Sequence, residues 1–180
     1  MASSSPRRKE LLHSVTDDFV VQNPVCEELE TGDPTFVAME NAMRKGRAVN
    51  APFVVACDTL VTQNGVIYGK PHDEQDALDM LRALNGKTHE VVSGCYVRFH
   101  EEETTFFDVS HVTFKTFSDD ELLYYIKHFS PLDKAGSYGI QDDFLVEKYE
   151  GSLDNIIGLP TEKLREILRK YVQVKEKRHH

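Results

Sequence analysis

Asn64-Gly65 is the dipeptide that most narrows what this chain can fold into. A two-residue type I′ turn needs φ > 0 at both central positions, and Asn-Gly tolerates that best. The pair follows an apolar, β-branched run, Phe53 to Val61, and precedes Val66 to Tyr68, so an antiparallel hairpin is expected. His89 to Phe99 and Thr104 to Phe117 alternate as two longer strands, and Phe19 to Gln22 reads as a short one. Helix signals surround them. Ser5 caps a helix with Pro6 at its first position, and Asp33-Pro34 opens a second that runs to about Ala48. Asp73 caps a third, with Ala77, Leu78, Leu81 and Leu84 on one face and Gly86 closing it. Ser118-Asp119-Asp120-Glu121 is a capping box, and Thr161 is expected to cap a last helix that turns Leu164, Ile167, Leu168 and Tyr171 inward. Gly136, Gly139 and Gly151 mark turn-rich stretches.

With 180 residues, these elements suit one domain, or one domain with two lobes. A chain that is 40% hydrophobic and 28% charged belongs with ordinary globular proteins, which excludes disordered, collagen-like and disulfide-scaffold classes. The longest apolar run, Phe53 to Cys57, cannot span a bilayer, and Met1 to Arg8 has no apolar stretch of a secretory signal. Cys26, Cys57 and Cys95 lack metal-ligand spacing and suit reduced thiols, so a cytoplasmic location is expected. The net charge of −9 argues against nucleic acid or an anionic membrane as partner. Any anionic ligand must be held by a local cluster of cations. The polar tail from Lys175 to His180 is expected to fray, and its closing His pair reads as a tag remnant.

Four segments stand out chemically. Arg7, Arg8 and Lys9 crowd the first turn of a helix, where the backbone dipole is already positive. A phosphate there would satisfy free N–H groups and arginines together, with Ser3, Ser4 and Ser5 as further donors; a solvated basic turn is the alternative. Asp58 interrupts an apolar strand, on the face of Val54 and Ala56, with Thr59 pointing the other way. A buried carboxylate needs a cation, a metal or a polar cleft, unless it only bonds backbone at a strand end. Lys70, in Gly69-Lys70-Pro71, is a candidate phosphate ligand or an exposed lysine; Gly65 and Gly69 lack the P-loop spacing. In Asp133 to Gln141, small residues surround Asp, Lys and Gln, as in a loop that approaches a ligand closely or in a plain turn. The Gln141 amide offers a donor and an acceptor side by side, enough to read a base edge. His89 reads as structural, and no zinc or serine-hydrolase motif is present.

Together the segments resemble one family. Ala2-Ser3-Ser4-Ser5-Pro6-Arg7-Arg8-Lys9-Glu10-Leu11-Leu12 resembles the opening motif of the Maf family of nucleotide pyrophosphatases. Ala56 to Val61, Gly69-Lys70-Pro71, Leu84 to Val91, Asp133 to Gln141 and Gly158-Leu159-Pro160 follow in that family's order. The resemblance implies an α/β fold like that of inosine triphosphatase: an elongated, mixed, curved sheet flanked by helices, with a deep cleft between two lobes. Residues 1–174 would form one catalytic domain, with 175–180 as tail. It implies hydrolysis of a nucleoside triphosphate to monophosphate plus pyrophosphate, with Mg²⁺ or Mn²⁺. Asp58 would be the general base and, with Glu28, a metal ligand. Ser3, Arg7, Arg8, Lys45 and Lys70 would cradle the triphosphate; the surroundings of Glu28 (Cys26-Glu27-Glu28) and Lys45 (Met43-Arg44-Lys45-Gly46) match the family loosely. Arg7, Thr59 and Gln141 match the Arg, Thr and Gln of the subgroup that acts on dTTP and UTP. A 7-methyl-GTP pyrophosphatase and a non-catalytic nucleotide-binding regulator are the alternatives. The partner expected is the nucleotide, with no nucleic acid and no membrane, and a homodimer is left open.

Two departures from the family carry expectations. Its members begin with a short apolar strand before the Ala-Ser segment, whereas this chain begins at Met1-Ala2, so a shortened strand or a lost sheet edge is expected. Gln141-Asp142-Asp143-Phe144 replaces the glycine-rich stretch usual after the glutamine, so selectivity is open to change there.

Overall fold

Asn64 and Gly65 adopt φ of 51° and 78° in the computed structural model, which describes residues 1–176. They join β1 (Phe53–Gln63) to β2 (Val66–Tyr68) with Gln63 opposite Val66, as a type I′ hairpin requires. Two helices precede them, α1 (Pro6–His13) and α2 (Pro34–Arg47). After them come α3 (Glu74–Leu84), β3 (Thr88–Phe99), β4 (Glu102–Phe114), α4 (Asp119–Phe129), β5 (Val146–Glu150), α5 (Leu153–Ile157) and α6 (Thr161–Leu168). Short 3₁₀ turns cover Pro131–Asp133, Ala135–Ser137 and Ile140–Asp142. The caps behave as their chemistry dictates: Ser5, Asp33, Asp73 and Ser118 each accept a backbone N–H of the first turn, and Glu121 completes the capping box.

The protein is mixed α/β, with one five-stranded sheet in the order β2-β1-β3-β4-β5 flanked by helices. All neighbouring strands run antiparallel. The expected mixed sheet is therefore corrected: among the described residues, parallel pairing is confined to Ala2, which bridges Ala56 on one side and Gln22 on the other. The expected strand at Phe19–Gln22 shrinks to that bridge at Gln22. That bridge is made by Gln22 N on Met1 O and Ser3 N on Gln22 O, and Met1 N on Val20 O extends the tie to the chain's start.

Alternation along β1 and β3 sorts the core. Val54, Ala56, Leu60, Val92 and Tyr96 face α2, meeting Val37, Ala38 and Ala42. Val55, Cys57, Cys95 and Val97 face the other way, onto Leu12 and Val15 near α1 and Leu164 and Leu168 of α6. Farther along that second face, Val61 and Val91 meet Leu78 and Leu81 of α3 and Leu122 and Ile126 of α4. Thr59 and Ser93 lie between these two apolar clusters, joined Oγ to Oγ at 2.8 Å. The three cysteines are free thiols.

Three further expectations are adjusted. Thr161 does not cap α6; it is the first helical residue, and its hydroxyl donates to Asp154 instead. β4 ends at Phe114 rather than Phe117. β5 and α5 have no counterpart in the sequence reading. Lys175 is held rather than frayed, with its N–H on Val15 O and its ammonium on His13 O, while the closing His pair lies outside the described residues.

α2 sits unusually close to the sheet. A Cβ on Gly94 would stand 2.2 Å from the Ala38 carbonyl carbon and 2.3 Å from the Met39 nitrogen, and one on Gly46 would enter the Tyr96 ring at 2.1 Å. Gly94 is the β3 partner of Asp58, so this contact sets the height of α2 above the carboxylate. Gly94→Ala meets helix backbone that cannot swing aside, and it should cost roughly 3 kcal/mol in urea denaturation. A wild-type transition midpoint would show that α2 is not pinned there.

Candidate active site

The site lies at a break in the sheet's outer edge. β1 is bridged by Ala2 at Ala56 and paired with β2 from Val61 onward, which leaves the edge between them without a neighbouring strand. A cavity of about 600 Å³ opens at that gap. All nine residues singled out as site candidates line it: Ser3, Arg7, Arg8, Glu28, Lys45, Asp58, Thr59, Lys70 and Gln141. Lys9, third of the basic turn, is exposed and outside it.

Asp58 projects from β1 toward α2 and is 15% exposed. Its two oxygens have separate donors: Lys45 Nζ at 3.0 Å on Oδ1 and Asn41 Nδ2 at 3.1 Å on Oδ2. Asn41 and Lys45 are one helical turn apart, so α2 presents both to the same carboxylate. Lys45 Nζ also meets Glu28 at 3.2 Å, which ties two carboxylates to one ammonium. Asn41 does more than donate to Asp58. Its Oδ1 accepts from Leu29 N at 2.7 Å and its Nδ2 donates to Leu29 O at 2.9 Å. It thereby fastens to α2 the segment that carries Glu28, which has no regular structure of its own.

On the opposite face, Gly158 O collects Arg8 Nε at 2.8 Å, Thr59 Oγ1 at 3.2 Å and Cys57 Sγ at 3.4 Å. Arg8 Nη2 also donates to Thr59 Oγ1 at 3.0 Å. Thr59 thus holds the arginine in place. Arg7 is gripped by Asp133, with Nη1 on Oδ2 at 3.0 Å and Nη2 on the backbone O at 3.4 Å. Burial alone would raise the Asp133 carboxyl, but Arg7, backed by Lys134, pulls it below its ordinary value. Ser3 is buried and accepts from Ser5 N at 3.1 Å. Lys70 is exposed and has no hydrogen bond or ion pair among the described residues. His89 is structural: its Nε2 meets Tyr138 OH at 2.7 Å, and burial lowers its pKa to about 4, leaving it neutral.

The charge balance differs from the sequence expectation of a cationic cluster. Arg7, Arg8, Lys45, Lys70 and Lys134 line the cavity, but so do Glu28, Glu30, Asp58, Asp76 and Asp133, five of each sign. Each cation except Lys70 already has an oxygen partner. Among the described residues no cluster of three or more His, Cys, Asp or Glu could hold a metal by itself. Asp58 and Glu28 both meet the Lys45 ammonium, which draws the two carboxylates together.

Sequence reading missed Asn41, Asp133 as the keeper of Arg7, Ser93 behind Thr59, and the Gly158 carbonyl. For Asn41 a signal existed. It is a polar residue on the Ala38–Ala42 face of an amphipathic helix, one turn before Lys45.

Fold and cavity together define an α/β protein with a charge-lined cavity, far roomier than a single phosphate, around one half-hidden aspartate. The family model described as Maf-like protein matches residues 1–171, and the chain belongs to the Maf family. It is 41% identical over 172 residues to a protein of Thermosipho africanus named dTTP/UTP pyrophosphatase, covering 93% of this chain and 90% of that one. Proteins of the same name from Bacteroides fragilis and Clostridioides difficile are 40% and 38% identical, covering 91% and 97% of this chain and 91% and 95% of their own lengths. No helix among the described residues is long and apolar enough to cross a membrane.

Asn41→Leu should strip one donor from Asp58 and free the Glu28 segment. The loss of three hydrogen bonds with little change of volume should cost about 2–3 kcal/mol in urea denaturation. An unchanged midpoint would mean that Leu29 is held by something else.

Proposed function

We propose that this chain hydrolyses dTTP and UTP to the monophosphate and pyrophosphate, acting as a single catalytic domain over residues 1–174. The observation that carries the reading is the convergence of Arg7, Arg8 and Lys70 with Asp58 in one cavity, in a chain whose relatives bear that activity as their name. We read the cavity as the deep cleft between two lobes, one built on α1 and α6 and the other on α3 and α4.

In this reading the triphosphate enters at the broken edge of β1. Arg8, already oriented by Gly158 and Thr59, meets phosphate oxygens as a pre-formed fork, and Lys70 adds the free cation. Ser3 lies beside the first turn of α1, whose open N–H groups favour an anion. Asp58 aligns a water for in-line attack at the α-phosphorus and takes its proton. Lys45 and Asn41 fix the carboxylate's orientation for that task. Pyrophosphate then leaves as the unit held by the cations. Because the cavity's own charges balance, a divalent ion, Mg²⁺ or Mn²⁺, held by Asp58 and Glu28 with the phosphates, would supply the missing positive charge. At the other end the Gln141 amide reads the N3–H and adjacent carbonyl of uracil or thymine.

Asp58→Asn keeps the size and one acceptor but cannot take a proton. Turnover should fall ~10²–10⁴-fold with nucleotide binding largely kept. Near-normal turnover in the folded variant would reassign the base. Arg8→Ala should weaken nucleotide binding by ~2–3 kcal/mol, as loss of a charge-assisted pair does. Product analysis across dTTP, UTP, CTP, GTP and 7-methyl-GTP tests the whole reading. Nucleoside diphosphate plus orthophosphate would overturn the cleavage site. Preference for 7-methyl-GTP would overturn the base assignment, and binding without hydrolysis would make the protein a regulator.

A further inference from the structure

Gln141 lies in a tight turn, Gly139 to Asp142, closed by Asp142 N on Gly139 O at 3.1 Å. The residues of its 3₁₀ segment are not buried, and Gln141 itself is exposed. Ile140 packs partly buried against the core, but Gly139 and Asp142, the two ends of the turn, have no apolar side chain to hold them. Tyr125 of α4, fully buried beneath the turn, holds both ends instead. The Tyr125 hydroxyl accepts from Gly139 N at 3.0 Å and donates to Asp142 Oδ2 at 2.6 Å. One oxygen thus ties both ends of the turn that holds Gln141. The ring beneath is stacked on Phe129 at 5.0 Å and lies 5.5 Å from Phe144, so the hydroxyl is positioned from α4 rather than by the turn. Burial, and then Asp142, push the phenol far above its ordinary range, which keeps it a donor. Beyond the turn Asp143 takes φ of 50°, a left-handed conformation that Asp tolerates, and delivers Phe144 into the aromatic cluster.

We propose that Tyr125 and Asp142 form a clamp that positions Gln141 and so sets how sharply the site discriminates between bases. The inference rests on the reading of Gln141 as the residue that meets the base. An amide rejects the wrong base only if it cannot turn or shift to accommodate it. A surface turn that moves by an ångström loses that rejection first. The phosphates are gripped elsewhere, by Arg8 and Lys70, so loosening the turn changes the ratio between bases more than it changes capture of the triphosphate.

UTP and CTP differ only at N3 and the C4 substituent, the edge an amide reads. The measurement is the ratio of kcat/KM for UTP over CTP. Tyr125→Phe keeps the ring stack and removes the hydroxyl; Asp142→Ala removes the partner from the turn side and serves if Tyr125→Phe does not fold. Both should shrink the ratio by roughly tenfold, whereas Asp142→Asn, which keeps an acceptor, should restore most of it. A role in stability alone would lower both substrates equally and leave the ratio unmoved. Gln141→Ala should lower the ratio by itself, and adding Tyr125→Phe to it should lower it no further. A ratio that falls in Gln141→Ala but stays wild-type in Tyr125→Phe and Asp142→Ala would overturn the clamp and leave the base reading standing. A further fall in the double variant would also overturn it, because the effect would not pass through Gln141. A ratio indifferent to Gln141→Ala, or a wild-type protein with no preference, would defeat the base reading and the clamp with it.

Discussion

The contact between α2 and the bare backbone at Gly94 governs the rest of the molecule's chemistry. A helix resting on ordinary side chains would stand farther from the sheet, held off by their Cβ atoms. Here the absence of a Cβ on Gly94, matched by Gly46 under the Tyr96 ring, lets the helix settle onto the strands. Two side chains gain from that descent. Asn41 and Lys45 reach the carboxylate of Asp58 directly, one oxygen each, and Asn41 has enough reach left to secure Leu29. Leaving the aspartate half-buried without those donors would be costly, since a desolvated carboxylate needs its partners. The packing of two glycines and the tolerance of one charge are thus one structural solution.

The broken outer edge of β1 has a similar double role. Unpaired strand edges are usually covered or blunted, because their open backbone groups invite other strands. In this fold the gap between the Ala2 bridge and β2 is used: the chain passes out of it twice, through Ser3 into α1 and through Gly69 and Lys70 toward α3. Two independent segments are thereby delivered to the same opening, with the faces of β1 supplying Asp58 to one side and Thr59 to the other. Separation of the apolar cluster on that second face into two parts leaves the interval in which Thr59, Ser93 and the Gly158 carbonyl meet.

Much of this was legible in the sequence wherever local chemistry decides structure. Caps at Ser5, Asp33, Asp73 and Ser118 and the Asn64-Gly65 turn depend on a few neighbouring atoms, and they fall where such rules put them. Asp58 was visible because a charge inside an apolar strand demands a partner. β5 was not visible, since Val146–Glu150 is short, mostly charged and exposed, and is defined by its pairing with β4 rather than by pattern. Phe19–Gln22 has strand composition yet only one bridge, at Gln22, because the chain beside it runs alongside only at Met1–Ser3 before turning into α1. Asn41 escaped notice for a related reason: its partner is the backbone of Leu29, twelve positions away in a segment without periodicity. The charge balance of the cavity was equally hidden, because it depends on which acids the fold brings beside Arg7 and Lys45.

On the proposed reading, that balance makes ligand capture an exchange reaction. The Arg7 fork is not bare: Asp133 meets it through both its carboxylate and its backbone oxygen. An arriving phosphate that engages Arg7 trades one oxygen acceptor for another, so the guanidinium crosses between two satisfied states without being stripped of partners. The direction of such a swap is set by how much negative charge the newcomer brings. Against a chain of net charge −9, with no long-range pull on an anion, recognition becomes a matter of replacement at contact distance rather than attraction from afar.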